Sequence, residues 1–394
     1  MATVLLASQW GGGAGHARKL LALADGLVAM GHEPVLALPD LLAARHVERR
    51  RGHTILQAPV SRARVLKRQP TRSFADIMAQ QGFADPAVLH PVADAWDSLL
   101  QRLQPDVVVA DYAPILCLAA RDRFPLLCVG VPFCLPPGSM ANFPALNSEA
   151  RASMEESSLL LHANQWLKSQ DREPLAALPA IHPDDASFCF GLSMLDPYRD
   201  QPRRRLPQPY REVTDMPLPR PEPRERLPVF AYLSARHKPA VTLLLALAKK
   251  GVLVEASLRD FNRTVARRLA GAGVIVHEGL ANLREAMLRN SIYIHHGSEG
   301  AAVDGLYCGR PQLCVPMDLE KQLISRALRE QGVARVVQSK DPLEESLETT
   351  LALAEDEEVH QRAQSLSAEL CATQPCRGLE AVLDAIPIVL ESDS

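Results

Sequence analysis

Between a short apolar run ending at His295 and a small-residue stretch that opens a helix at about Ala301 lie His296, Gly297, Ser298, Glu299 and Gly300. Glycines at 297 and 300 let the backbone approach a ligand closely. A helix start presents unpaired N–H groups and the positive end of the helix dipole, which together suit a phosphate. His296 can add a hydrogen-bond donor, and Asp304, one turn further along, can accept two hydroxyls of a ribose. A Gly309-Arg310-Pro311 break, a second apolar run and Pro316 then lead to Glu320, Lys321 and Gln322.

A second group of candidates stands near the amino terminus. Thr3 to Ser8 reads as a strand, followed by a glycine loop through Gly11, Gly12, Gly13 and Gly15 to His16, and then by Leu20, Leu23, Ala24 and Leu27 at helical spacing. The loop contains G-x-G, but His16 occupies the place of the third glycine of a dinucleotide fingerprint. Asp40, which precedes a helix instead of ending its strand, is poorly placed to hold a ribose, so NAD is set aside. Pro105 to Asp111 is another strand, with Asp111 at its carboxyl end, where open α/β sheets place their site residues. An imidazole near neutral pH takes a proton from an attacking hydroxyl when a carboxylate fixes its tautomer.

The chain that must position these groups has 394 residues, 47% of them hydrophobic and 23% charged. A single core rarely grows past about 250–300 residues, so two domains are expected. Strands and helices alternate from residue 3, and again from Val229 onward, which predicts α/β architecture with parallel, doubly wound sheets. Between Pro197 and Pro228 prolines and arginines dominate and resist both helix and strand. The expected division is 1–215, a Pro-rich linker over 216–228, a second domain over 229–375, and a terminal helical segment over 376–394.

A net charge of -3 offers no general attraction for nucleic acid. One basic segment, Arg45 to Arg72, could meet an anionic acceptor or a membrane surface, although a solvated helix end and loop explains it as well. The eight cysteines form no zinc spacing and mostly sit in apolar runs, as reduced core residues of a cytoplasmic protein do. Loop residues Phe133, Met140 and Phe143 suit a planar or apolar ligand if exposed, and anchor the loop if buried.

His296, Gly297, Gly300, Asp304, Gly309, Pro311, Pro316 and Glu320 fall at the spacings of the donor-binding signature of family 1 glycosyltransferases, and the chain resembles those enzymes. Gly15-His16 with Gly31-His32-Glu33-Pro34 resembles their opening segment. The resemblance implies a GT-B fold of two facing Rossmann-like domains, with the terminal helix crossing back onto the first. It implies an inverting, metal-independent hexosyl transfer from a nucleotide sugar, most often UDP-linked, to an acceptor hydroxyl, with no other cofactor.

By the same resemblance His16 is the base and Asp111 its partner, while Gly13, Gly15 and Phe133 lie on the acceptor side. His296, Gly297, Ser298, Gly300 and Ala301 hold the diphosphate, Asp304 the ribose, and Glu320 with Lys321 and Gln322 the sugar. The chain departs from the pattern at Ser298, where bacterial members commonly have Gly, at Ala301 for Thr or Ser, at Lys321 for Gln, and in placing Glu299 beside a dianion site. Glu278 and Ala281 stand where plant members carry the Trp that stacks on uracil and a Gln, leaving thymidine- and GDP-linked donors open. A nucleotide-sugar epimerase and a catalytically silent partner protein are the competing readings.

Overall fold

The computed structural model describes residues 1–11, 14–41, 52–61, 70–210, 228–277, 283–373 and 376–392. Gly13, the basic residues Arg45 to Arg68, the linker up to residue 227, Glu278 and Ala281 lie outside the described residues. The chain forms two compact units, Met1–Arg211 with Arg377–Ser394, and Glu212–Cys376.

The first unit is built on a parallel sheet of β1 (Thr3–Ser8), β2 (Glu33–Leu38), β3 (Thr54–Gln57), β4 (Val107–Asp111), β5 (Leu126–Gly130) and β6 (Ser187–Cys189), in the order β3-β2-β1-β4-β5-β6. Its central strands are apolar without alternation because helices cover both faces; Val4, Leu5, Leu6, Val107, Val108 and Val109 are all fully buried. The second unit repeats the plan with β7 (Pro228–Leu233), β8 (Leu253–Leu258), β9 (Ile275–His277), β10 (Ile292–His295), β11 (Gln312–Cys314) and β12 (Ala334–Val336), in the order β12-β11-β10-β7-β8-β9. Counted from its own first strand, this is the same 3-2-1-4-5-6 order, that of a Rossmann fold. The doubly wound α/β class expected from the sequence is the class observed.

The chain order places the chemistry. In each sheet the strand order reverses between the first and fourth strands, β1 and β4 in one unit and β7 and β10 in the other. Connections leave these pairs in opposite directions, so a crevice opens at their carboxyl ends. β1 and β4 are in register from Val4↔Val107 to Ser8↔Asp111, which brings the glycine loop after β1 beside Asp111.

The terminal helix Gly378–Ser392 packs on the Ala14–Ala29 helix of the first unit, with Val382 and Ile386 fully buried. Gly26 permits the approach, since a Cβ there would lie 2.5 Å from a Leu383 methyl. Phe133, Met140 and Phe143 are all buried, so the loop after β5 uses them as anchors and does not display them. Gly138 crosses so close to the next loop that a Cβ would sit 1.9 Å from the His182 carbonyl oxygen, and its N–H donates to Asp184 Oδ1 at 2.6 Å.

In the second unit Arg310 is buried at 2% exposure. Its Nε donates to the Met287 carbonyl at 2.9 Å and its Nη2 to the Leu288 carbonyl at 3.0 Å. These carbonyls belong to the last turn of the Leu283–Arg289 helix, where a cation and a donor are both favoured. The guanidinium thereby fixes the helix that feeds β10. Replacing it by methionine should cost about 2–4 kcal/mol, because two buried carbonyls lose their donors. Arg310→Lys should recover only part, lacking the fork. Urea unfolding of the two variants checks this, and equal stability of Arg310→Met and the parent chain would refute it.

Candidate active site

At the crevice of the first sheet, His16 Nδ1 stands 2.8 Å from Asp111 Oδ2. A carboxylate can only accept, so Nδ1 carries a proton, and in the neutral form of the ring Nε2 presents a lone pair. Nε2 has no hydrogen bond to a described residue, and the side chain keeps 20% of its surface exposed. Asp111 is fully buried. Its other oxygen, Oδ1, accepts from Lys19 Nζ at 3.2 Å. Burial pushes the Asp111 carboxyl up, but the charges of His16 and Lys19 and their hydrogen bonds outweigh it and hold the group below the usual carboxylate range. Burial likewise pulls the Lys19 ammonium down, and Asp111, together with Tyr210 and Cys134, raises it above its ordinary value.

Two features hold the imidazole in place. Gly11, at φ +94°, lies so close to the ring that a Cβ would come within 2.4 Å of Nε2. Tyr112, directly after Asp111, adopts φ +52°, a left-handed conformation that costs a non-glycine residue about 1 kcal/mol. Its ring lies nearly parallel to His16, with centroids 5.9 Å apart at 22°, and its carbonyl accepts from the Trp10 N–H at 3.1 Å. Asp111 is not a helix cap. The Pro114–Ala120 helix starts beyond it, and its Ile115 N–H donates to Gln9 Oε1 at 3.1 Å.

Gly15 is exposed, and a Cβ there would meet nothing within 4 Å. Phe133 is buried at 6% exposure, and its carbonyl faces the Tyr198 hydroxyl at 3.5 Å. Lys19 and Tyr112 escaped the sequence reading, although each had a signal: Lys19 is one helical turn after His16, and Tyr112 adjoins Asp111.

At the corresponding crevice of the second sheet, His296 follows β10. Its Nε2 accepts from the Ser234 backbone N–H at 2.9 Å, and its Nδ1 donates to the Val315 carbonyl at 2.8 Å. Both ring nitrogens are spent on backbone groups. The donation to phosphate expected of His296 is therefore taken by the protein itself, and the ring serves to clamp the loops after β7, β10 and β11. Beside it, His295 Nδ1 accepts from the Gly297 N–H at 2.9 Å and its Nε2 faces Gln312 Oε1 at 2.8 Å. Gly297 is at φ +81°, and a Cβ would lie 2.5 Å from Ser325 Oγ and 2.8 Å from the Lys321 carbonyl, so no other residue fits.

Ser298 is the N-cap of the Glu299–Tyr307 helix, but its hydroxyl makes no cap bond. Gly300 has open space where a Cβ would be, Ala301 is buried, and Asp304 is half-buried on the same helix. Glu299, the carboxylate that would trouble a dianion, is buried at 4% exposure. Lys321 Nζ lies 2.5 Å from Asp318 Oδ2 and 4.0 Å from Glu320 Oε2. Burial lowers the Lys321 ammonium, and Glu320 and Asp318 together raise it above its ordinary value. Gln322 is exposed. Ser234, whose hydroxyl donates to Asp260, and His237, whose ring meets His296 edge-on at 5.0 Å, complete this crevice and were not foreseen.

No protein-family model matches the chain, and no curated protein sequence does. Solved structures match over essentially its full length. The calicheamicin glycosyltransferase superposes with a TM-score of 0.64 at 17% identity, covering 99% of this chain and 98% of that one. The glycosyltransferase SnogD from Streptomyces nogalater gives 0.61 at 16% identity, covering 99% and 100%. A Streptomyces sp. SF2575 glycosyltransferase complexed with thymidine diphosphate gives 0.62 at 19% identity, covering 98% and 99%. The fold is thus GT-B, two Rossmann-like domains, as the resemblance of the motifs implied.

The two histidines of the second crevice make a prediction about pH. Burial holds His296 at about 4 and His295 at about 3, far below 6.5. In the unfolded chain both bind protons near pH 6.5, so the unfolded state is favoured as pH falls below that value, until the folded groups titrate. Stability should be full above pH 6.5 and decline by on the order of a few kcal/mol toward pH 4. Calorimetric melting from pH 7.5 to 4.5 should show this slope, shallower in His295→Met. A melting temperature flat across the window would contradict it.

Proposed function

We propose that the chain is an inverting glycosyltransferase that moves a hexose from a nucleoside-diphosphate sugar to an acceptor hydroxyl without a metal ion. The observation that carries this reading is the His16–Asp111 pair, at 2.8 Å, standing at the crevice of a Rossmann-like sheet in a GT-B fold. His16 Nε2 would take the acceptor proton as the hydroxyl attacks the anomeric carbon from the face opposite the leaving diphosphate, and Asp111 would stabilise the imidazolium that forms. In-line displacement inverts the configuration at that carbon.

The donor is assigned to the second unit. The uncapped first turn of the Glu299–Tyr307 helix, opened by Gly297 and Gly300, would receive the diphosphate and carry the charge that builds on it. Asp304 would hold the ribose, and Glu320, Lys321 and Gln322 the sugar. UDP is the nucleotide the motif resemblance favours, and the thymidine diphosphate complex of a structural neighbour makes dTDP the first alternative. The acceptor is assigned to the first unit, beside His16. Among the described residues no helix is long and apolar enough to cross a membrane, and peripheral attachment through the basic segment is part of the proposal only if the acceptor is lipid-linked.

The silent-partner reading draws on Glu299, which brings a carboxylate to the helix start, and on Ala301 and Lys321, which replace residues that contact donor in the resembling enzymes. Calorimetric titration with UDP, dTDP and GDP separates the two. Binding of one nucleotide in the absence of metal is expected, unchanged in His16→Ala. With the matching nucleotide sugar and a panel of phenol and alcohol acceptors, His16→Ala and Asp111→Asn should each lower kcat/KM for transfer by ~10²–10⁴-fold. A folded sample that binds none of the three nucleotides would instead favour the silent partner.

A further inference from the structure

The role of the buried ammonium beside the catalytic pair is unexplained by the reaction as drawn. Lys19 lies on the inner face of the Ala14–Ala29 helix, among Ala17, Leu20, Leu21 and Leu23, where an aliphatic residue would pack at no electrostatic cost. It is 4% exposed. Burying a lysine costs several kcal/mol unless a counter-charge meets it. Its Nζ meets Asp111 Oδ1 at 3.2 Å and stands 5.7 Å from the centroid of the Phe190 ring. His16, three residues earlier on the same helix, meets the other oxygen of the same carboxylate. The titratable groups facing the carboxylate are His16 and Lys19; those facing the ammonium are Asp111, the Tyr210 phenol and the Cys134 thiol.

A fully buried carboxylate needs a compensating positive charge. With only a histidine beside it, that charge comes from protonating the imidazole, and a protonated imidazole is spent as a base. We propose that Lys19 is a positioning residue for the pair: its ammonium is the fixed counter-charge of Asp111, which leaves His16 unprotonated and ready to accept a proton. The carboxylate then keeps one oxygen for orienting Nδ1–H, while its charge is balanced from the other side. Only in calling His16 the base does this rest on the glycosyltransferase reading; the electrostatic claim concerns the three side chains alone.

The test is independent of substrate. Diethyl pyrocarbonate acylates only unprotonated imidazole, and the half-buried His16 ring is open to it. The extent of modification of the His16 peptide, read by mass spectrometry from pH 5 to 9 on the intact chain, gives a midpoint. In Lys19→Met that midpoint should move up by about one pH unit, while Lys19→Arg, which keeps the charge, should stay with the parent. A change in access alone alters the rate at every pH and leaves the midpoint in place. Superimposable midpoints for Lys19→Met and the parent would overturn the proposal. If the methionine variant does not fold, Lys19→Gln keeps a donor to Oδ1 without the charge and is read by the same criterion. Absence of nucleotide binding would sink the transferase reading and leave this curve untouched.

Discussion

A parallel sheet cannot close its own central crevice, and the structure is organised around that constraint. Where the strand order reverses, the loops leaving two neighbouring strands turn away from each other, and in the first unit the Trp10 N–H to Tyr112 carbonyl bond is a lone backbone link between them among the described residues. Something else must span the gap. In the first unit it is a side-chain bridge: Asp111 at the end of β4 reaches His16 and Lys19, both on the helix that follows β1. In the second it is His296, which joins Ser234 after β7 to Val315 after β11. Two copies of one topology thus face the same mechanical problem and answer it with histidine.

The answers differ in what they leave over. His296 uses both nitrogens on backbone groups that cannot exchange roles, so its tautomer is fixed and protonation would set an N–H against the Ser234 N–H. Burial holds it at about 4, in keeping with that geometry. Among the described residues His16 spends only Nδ1 and leaves Nε2 without a partner. The first histidine can move a proton and the second can only hold loops. The difference follows from packing: His296 is buried between three loops, whereas His16 keeps part of its ring at the surface.

Much of this was legible in the sequence because it rests on long apolar runs. Strands such as Thr3–Ser8 and Val107–Asp111 hold apolar runs that end at polar residues, Ser8 and Asp111, and the sheet class follows from their alternation with helices. Of the four sheet edges, β9 was legible and the other three were not. β3, β6 and β12 have four, three and three residues, too few for any period, and β3 lies inside a stretch whose arginines dominate its composition. Hydrogen-bond partners were not legible either. That His296 would find Ser234, 62 residues away, and lose its capacity to donate outward depends on tertiary geometry alone. The loop aromatics Phe133 and Phe143 were open to two readings by composition, and packing decided for the core.

The departures from the family pattern take on a physical meaning once placed. Gly297 is fixed by sterics on every side, by Ser325 and Lys321 as much as by its own φ of +81°, so its retention says nothing specific about a ligand. Gly300 is different: a Cβ there would meet open space, so local packing among the described residues does not demand a glycine. Glu299 is buried, and Lys321 is drawn toward Asp318 and Glu320, so an ammonium between two carboxylates stands where the resemblance implied a neutral amide. In this cluster the ammonium can only donate and the two carboxylates can only accept. The departures at 299 and 321 are thus absorbed by burial and by local ion pairing, and leave the backbone of the helix start as it is.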